Sequence, residues 1–355
     1  MLLCIDRSPR VPGRLDVAGS VLSVLGLGLL AFGLVEGRTY GWITTTHPMT
    51  IGGFRWDSGP SPVLVALVLS VLALGGFLGR QVLLRRGPDA DKALMDLSLF
   101  RRASFRNGNV ATLIIGLGEF GIVAVMPLWL QFTLGYSAVQ SGLALVPIAI
   151  GSFIASGASF GLAGKASPLN MVRLGLALEV VGLAALAFFA ATDSPWWTIS
   201  LILCVYGVGV GFATAQVTNV VLADIPEHDN GQASGIQRAF RQLGSALGIA
   251  LLTTVFFTTL SSQVDSDLTA AGTPPAQAQQ FSHAITSSAG AAIEGFAAQP
   301  ETREIAEAGR TAMTTGITFG GYLAAAFVLL GLIATAFIPS RTAESPTSTT
   351  QPALV

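Results

Sequence analysis

Apolar residues in this chain run in long stretches, with polar positions gathered between them. Eight stretches reach the roughly 20 residues that an α-helix needs to cross a ~30 Å hydrocarbon core. They are 16–36, 62–80, 108–131, 140–163, 170–191, 196–222, 233–260 and 315–339. The pattern predicts an all-α membrane protein with eight transmembrane helices. Polar segments divide it into a leading stretch with a two-helix hairpin (1–80), a basic linker (81–107), a six-helix bundle (108–340) and a polar tail (341–355). The hairpin has an outer loop near 37–61, and the bundle carries a long one at 261–314.

Composition sharpens this picture. Of 355 residues 51% are hydrophobic and only 11% charged, too few charges to cover the surface of a soluble fold of that size. The net charge of −1 gives no overall attraction to nucleic acid. The placement of the charges is more telling. Fifteen of the nineteen Lys and Arg residues fall in the leading stretch, the linker, the tail and alternate loops, against Arg38, Arg55, Arg303 and Arg310 on the other side. By the positive-inside rule both termini are expected in the cytoplasm, for a multi-pass protein of the plasma membrane. Cys4 is expected on the cytoplasmic side and Cys204 sits inside an apolar span, so no disulfide is expected. The opening MLLCIDRSPR has its basic residues after a short apolar run, the reverse of a signal peptide.

In the linker, Leu94, Leu97, Phe100 and Phe105 alternate with Arg101, Arg102 and Arg106. This suits either a short helix lying on the inner leaflet or an ordinary polar connection. The outer loop 261–314 holds Asp265, Asp267, Glu294, Glu301, Glu304 and Glu307, with short helices predicted at 291–298 and 301–312. A solvated cap is expected there. The tail, rich in Pro, Ser and Thr, is expected to be disordered. Within the spans, Gly157/Gly161, Gly244/Gly248 and Gly316/Gly320 each form GxxxG, and Gly207, Gly209 and Gly211 cluster, marking close helix packing or sliding surfaces. Pro127 and Pro147 lie inside spans and are expected to kink them.

No HExxH, Walker loop, GxSxG or Ser/His/Asp set is present, and His47, His228 and His283 all fall in loops. The chain is therefore read as no enzyme, with neither cofactor nor metal. The informative residues are the carboxyls inside the spans. Glu119, in a span starting at 108, lies about 16 Å along it at 1.5 Å per residue, near the bilayer centre. Glu179 is at similar depth. Neither span carries a Lys or Arg at that level, so no buried partner is evident. A carboxyl in low dielectric resists ionisation, which suits reversible proton binding, and once ionised it holds a cation. Both are proton or substrate candidates, with a neutral, hydrogen-bonded structural role as the alternative. Thr112 and Met126, at i±7 from Glu119, are candidate pocket residues. Gly175 and Gly182 flank Glu179 with a small-residue face. Thr214, Gln216, Thr218 and Asn219 form a polar run that suits either substrate contact or interhelical hydrogen bonds. Gln131 and Trp129 suit a gate or the membrane interface.

Two segments, GYSAVQSGLALVP (135–147) and GQASGIQRAFRQLGSALGIAL (231–251), resemble the fourteen-span, EmrB/QacA-type drug:proton antiporters of the major facilitator superfamily. The opening GRLDVAGSVLSVLGLGLLAFGLVEG resembles the start of that group's seventh span. The resemblance runs from about Arg10 to Pro339. It implies an accessory hairpin followed by one six-helix half of a major facilitator bundle, with the N-terminal six helices lacking a counterpart. GLAGKASPLNMVRLG (161–175) looks like a remnant of the family's inner-loop motif. Lys165 and Arg173 match its basic character, but its acidic residue is absent. Arg238 and Arg241 match basic residues before the penultimate helix, where the resemblance implies a cytoplasmic gate or a positive-inside anchor.

By this resemblance the function is proton-coupled efflux of lipophilic or cationic drugs, with substrate held between two rocking halves. The expected partners are the lipid bilayer, a small-molecule substrate, the proton, and a missing N-terminal half or second copy. A non-transporting membrane interaction or sensor protein, or a half-transporter needing a partner chain, is the alternative.

Overall fold

The computed structural model describes residues 16–87, 93–162 and 165–338. The expectations for Cys4 and the first three arginines, for Lys92, and for Arg341 and the disordered tail lie outside the described residues. Among the described residues, eight helices are long and apolar enough to cross a membrane. The chain divides into two compact units, Met1–Leu99 and Phe100–Val355.

The first unit is a helical hairpin of α1 (Val17–Tyr40) and α2 (Pro62–Arg86). Asp16 caps α1 by accepting from the Gly19 amide at 2.9 Å. Ser61 caps α2, with Pro62 at its first position, where the missing N–H costs nothing. The helices pack through Gly26 and Gly33, which admit Leu74 and Leu67, and Ser70 Oγ donates to the Gly26 carbonyl at 2.7 Å. Between them, β1 (Met49–Ile51) and β2 (Phe54–Trp56) pair antiparallel. Their turn is Gly52-Gly53, with φ of 54° and 90°, which only glycine adopts without strain. At the other end of the hairpin, Asp16 accepts from Arg80 Nε at 2.8 Å and from Gln81. Gln81 in turn accepts the Leu94 and Met95 amides, and Arg85 pairs with Asp96 at 2.6 Å. The stretch after α2 is thereby tied back onto α2.

Among the described residues the linker forms no separate amphipathic helix. A single 3₁₀ stretch, Leu97–Arg101, leads straight into α3 (Ala103–Phe132). Phe105 belongs to α3 and is buried, with Phe100 set edge-on to it at 5.2 Å. Its apolar side chain is used inside the protein, so it is not available to a leaflet.

The second unit continues with α4 (Ala138–Gly161), α5 (Pro168–Phe189), α6 (Trp196–Leu222), α7 (Asn230–Ala270), α8 (Pro275–Ser287), α9 (Ala292–Ala297) and α10 (Arg303–Ala334). Ser137 and Gln140 form a complete capping box on α4, and Ser167 with Pro168 starts α5. Two packed triplets make up the bundle. In one, α6 lies between α4 and α5; in the other, α3, α7 and α10 pack on each other, and α10 also packs on α5. Asn107 donates to the Phe337 carbonyl at 2.8 Å, and Arg173 donates to Thr335 Oγ1 and to its carbonyl. The start of α3, the start of α5 and the end of α10 therefore share one end of the unit, here termed the arginine-rich end.

The opposite end departs from the sequence reading. The region 261–314 is a helical cap, because α7 runs on to Ala270 and α10 already begins at Arg303. A short helix, α9, stands at the first predicted place, 291–298, whereas most of 301–312 is the start of the long α10. The apolar sides of the cap helices are buried, at Val264, Leu268, Ala278, Ile285 and Ile293, while Glu294, Glu301, Glu304 and Glu307 are exposed.

Candidate functional site

Glu119 comes to its partner because α3 and α7 touch at the backbone. Gly244 and Gly248 of α7 face the main chain of Leu113 and Leu117, while Gly116 and Gly121 of α3 face the α7 main chain at Arg241 and Gly248. Side chains larger than hydrogen at these points would hold the helices apart. Across this seam Arg241 Nη2 lies 3.3 Å from both Oε1 and Oε2 of Glu119. The guanidinium also sits 5.7 Å from the Phe120 ring centroid, within cation–π range. The expectation that Glu119 lacks a buried cationic partner is overturned. Arg241, matched by the resemblance to a gate or anchor, here faces Glu119. Because α7 starts at Asn230, residue 241 lies about 16 Å along the helix at 1.5 Å per residue. Arg238, one turn earlier, is exposed, where an anchor or gate would stand.

Glu179 is fully buried, and among the described residues neither carboxyl oxygen has a hydrogen-bond partner. Its small flanking residues do bring a neighbour close. Gly175 faces the Gly209 carbonyl and the Ala213 amide, and Gly182 faces the main chain of Tyr206. A carboxyl held there without donors or acceptors is costly to bury.

Tyr206 joins the two carboxyl groups' surroundings. It is 2% exposed, its backbone lies against Gly182 of α5, and its hydroxyl donates to the Glu119 main-chain carbonyl at 3.2 Å. Four polar groups thus come from four helices: Glu119 on α3, Glu179 on α5, Tyr206 on α6 and Arg241 on α7. A cavity of about 10 Å³, room for about one water, adjoins Glu119 and Arg241. It is lined further by Thr112, Ile115, Ala213, Thr214 and Val217.

The remaining candidates fall in different places. Thr112 and Thr214 line the cavity. Met126 is 1% exposed, does not line it, and packs in the core instead. Gln216 donates to Ser159 Oγ at 2.6 Å and accepts from Asn219 at 3.0 Å, so these two serve contacts between and along helices, while Thr218 stands half-buried off the lining. Gln131 donates to the Pro127 carbonyl at 3.1 Å. Trp129 is not exposed as a residue at the membrane interface would be. It is fully buried, and Nε1 donates to Thr314 Oγ1 at 3.0 Å. Arg173 binds the end of α10, and Lys165 is exposed. Gly157 and Gly161 face open space, so that GxxxG pair packs against nothing among the described residues.

A larger groove of about 660 Å³ lies between α4 and α6, lined mainly by Leu143, Val146, Pro147, Ile150, Trp196 and Ile199. None of the four polar groups lines it.

Residues 51–249, more than half of the chain, match the sequence profile described as the Major Facilitator Superfamily. The chain is 32% identical over 247 residues to the tetracycline resistance determinant of Streptomyces rimosus, covering 68% of this chain and 64% of that protein. It is 29% identical over 275 residues to the probable actinorhodin transporter of Streptomyces coelicolor, covering 76% and 43%. It is 27% identical over 276 residues to the multidrug resistance protein Stp of Mycobacterium tuberculosis, covering 78% and 47%. The chain thus spans about half the length of two of these curated relatives and 64% of the third.

Proposed function

Because this chain belongs to the major facilitator superfamily, whose members are membrane transporters and not enzymes, we propose that it works in proton-coupled export of lipophilic, drug-like molecules. The observation that carries this reading is the Glu119–Arg241 pair inside an apolar bundle. A paired carboxylate and guanidinium are tolerable there only together. A proton on Glu119 breaks the pair electrostatically, frees the guanidinium, and changes which arrangement of α3 against α7 is favoured. Such a two-state element is what couples proton binding to helix movement. The glycine seam between α3 and α7 supports it, because backbones in contact slide without first repacking side chains.

On this reading the chain is the accessory hairpin and C-terminal six-helix half of the fourteen-span type. It closes a substrate cavity together with a second six-helix half, from the same protein, another polypeptide or a second copy. The names of the relatives, among them a tetracycline resistance determinant and a multidrug resistance protein, support drugs as the cargo. The excess of Lys and Arg in alternate loops supports a plasma-membrane protein with cytoplasmic termini.

The test is proton-driven export from vesicles of cells expressing the gene, compared with Glu119→Gln. Loss of ΔpH-driven export in the variant, with normal amounts of folded protein in the membrane, is the expected result. Unchanged export in Glu119→Gln would overturn the assignment of Glu119. No export by the wild type, in cells carrying every chain the protein works with, would overturn transport itself.

A further inference from the structure

The geometry of the ion pair bears on what the proposed transporter binds, and the inference rests on the transport reading above. Arg241 reaches Glu119 through one nitrogen only. Nη2 is 3.3 Å from both carboxylate oxygens, and among the described residues Nε and Nη1 donate to nothing. A guanidinium that satisfies a carboxylate fully does so with two parallel N–H bonds of about 2.7–2.9 Å. Here the contact is long and one-sided, and the rest of the fork is open. The Arg241 side chain keeps 34% of its surface exposed against 10% for Glu119. Beside the pair lie two hydroxyls, Thr112 and Thr214, and three apolar side chains, Ile115, Ala213 and Val217.

We propose that this pair receives an amphoteric molecule, whose acidic group docks on the open fork of Arg241 and whose cationic group docks on Glu119. The argument is one of charge. The ion pair is neutral overall, and Glu179 is sealed and unpartnered. Adding a plain cation would leave two cations facing one carboxylate. Adding a plain anion would leave two anions facing one guanidinium. Either leaves one charge of the set without a counter-charge, so it binds less tightly than a molecule that meets both. A molecule carrying both charges replaces one long ion pair with two and brings in no net charge. Arg is also the side chain suited to an acid group, because its planar fork matches two oxygens at once.

The arrangement makes substrate and proton compete as well. A proton on Glu119 removes the charge that the cationic group requires. The titratable and charged groups facing Glu119 are Glu179 from α5, Tyr206 from α6 and Arg241 from α7. From α10 come the apolar Ala324 and Val328, packed against Gly118. Of the two carboxyls only Glu119 borders the cavity, so the proton and the cationic group both address it. The cavity of about 10 Å³ is too small for a drug-sized molecule, so binding accompanies a parting of α6 from α3 and α7.

The test uses the purified protein, together with every chain it works with, in lipid nanodiscs, with three dyes sharing a xanthene body, read by fluorescence anisotropy. Rhodamine B carries a cation and a carboxylate, its ethyl ester only the cation, and fluorescein only negative charge. Rhodamine B is expected to bind at least ten-fold more tightly than the ester or fluorescein, and to weaken as protons are added. Arg241→Gln is expected to erase the preference over the ester. Arg241→Lys, which keeps the charge without the fork, should lose most of it while preserving the fold. An ester that binds as tightly as rhodamine B, a preference that survives Arg241→Gln in folded protein, or no binding by any dye overturns the proposal. Vesicle export separates it from the parent reading. Glu119-dependent export of the ester without a rhodamine B preference sinks the amphoteric site alone, whereas the preference without export of any dye sinks transport alone.

Discussion

A Cβ atom on Gly209 would lie 2.6 Å from the main-chain nitrogen of Glu179 and 2.8 Å from its Cγ. The spacing of α5 and α6, and with it the seal around the Glu179 carboxyl, is thus set by the absence of one side chain. Backbone atoms cannot give way as the end of a flexible side chain can, so the helices must part to admit a methyl group.

Gly209→Ala is accordingly expected to destabilise the protein by roughly 1–3 kcal/mol, the usual range for overpacking. Gly157→Ala faces open space and is expected to be neutral or stabilising by up to about 1 kcal/mol, since Ala favours helix over Gly. Thermal unfolding of the two variants in the same detergent checks this. Equal melting temperatures would show that α5 and α6 do not approach as described.

Trp129 supplies a spectroscopic check on the α3–α10 contact. It is fully buried and donates to Thr314, whereas Trp196 and Trp197 are 69% and 58% exposed. A variant retaining only Trp129 is expected to emit at shorter wavelength and to resist acrylamide quenching, against one retaining only Trp196. Trp129→Ala should cost about 3–5 kcal/mol through the cavity it leaves. Trp129→Phe should cost about 1 kcal/mol for the lost hydrogen bond.

The spans were legible because hydrocarbon admits only long apolar runs, and that requirement is written in composition alone. Glu119 and Glu179 were legible for the same reason, as ionisable residues where burial is costly. Arg241 was not read as their neighbour. What sequence does not give is which face of α7 meets α3, and it is the glycine contact of Gly244 and Gly248 with α3 that brings Arg241 to Glu119. Tyr206 gave no signal, since a tyrosine in an apolar run suits core packing, and only the facing Gly182 shows where its hydroxyl reaches. Trp129 misled for the opposite reason: tryptophan near a span end is common at interfaces, and sequence does not tell which face a helix buries. The GxxxG spacing at Gly157/Gly161 and at Gly244/Gly248 is identical, yet only the second meets another helix. Spacing identifies a surface fit for close approach, while the neighbour comes from tertiary packing.

Outside the spans, Asp96 gives a pH-dependent prediction for the segment after α2. Burial alone would push its carboxyl up. Hydrogen bonds from the Ser98 amide and hydroxyl, and the Arg85 guanidinium at 2.6 Å, outweigh burial and hold it below the ordinary carboxylate range. A carboxyl lowered on folding stabilises the fold above its unfolded value of about 4, and that contribution is lost as pH falls through the lower folded value. Asp96→Asn is therefore expected to flatten the acid limb of the stability–pH curve below about pH 4. Arg85→Gln brings the folded value back toward the unfolded one and should likewise make the acid loss smaller. Unfolding midpoints measured from pH 3 to 7 test both, and an unchanged acid limb in Asp96→Asn would remove Asp96 from the account.

The Glu119–Arg241 pair can be separated from its role in transport by a double-mutant cycle. Glu119→Gln leaves a guanidinium in the bundle without its counter-charge, and Arg241→Gln leaves a carboxyl that is 10% exposed without one. Removing one partner of a fully buried pair commonly costs 3–5 kcal/mol. The 34% exposure of Arg241 lets water screen part of that, so each single variant is expected to lose roughly 1–3 kcal/mol. Glu119→Gln with Arg241→Gln leaves two neutral amides that can hydrogen-bond to each other, and should lose clearly less than the sum of the singles. The expected coupling is at least about 1 kcal/mol, within the range measured for contacting residues. Unfolding midpoints of the four proteins in detergent provide the cycle. Additive losses would mean that the two side chains, although 3.3 Å apart, do not depend on each other for burial. A double variant that regains stability yet shows no proton-driven export would assign the pair to coupling, since the charges would then be dispensable for folding and required for work.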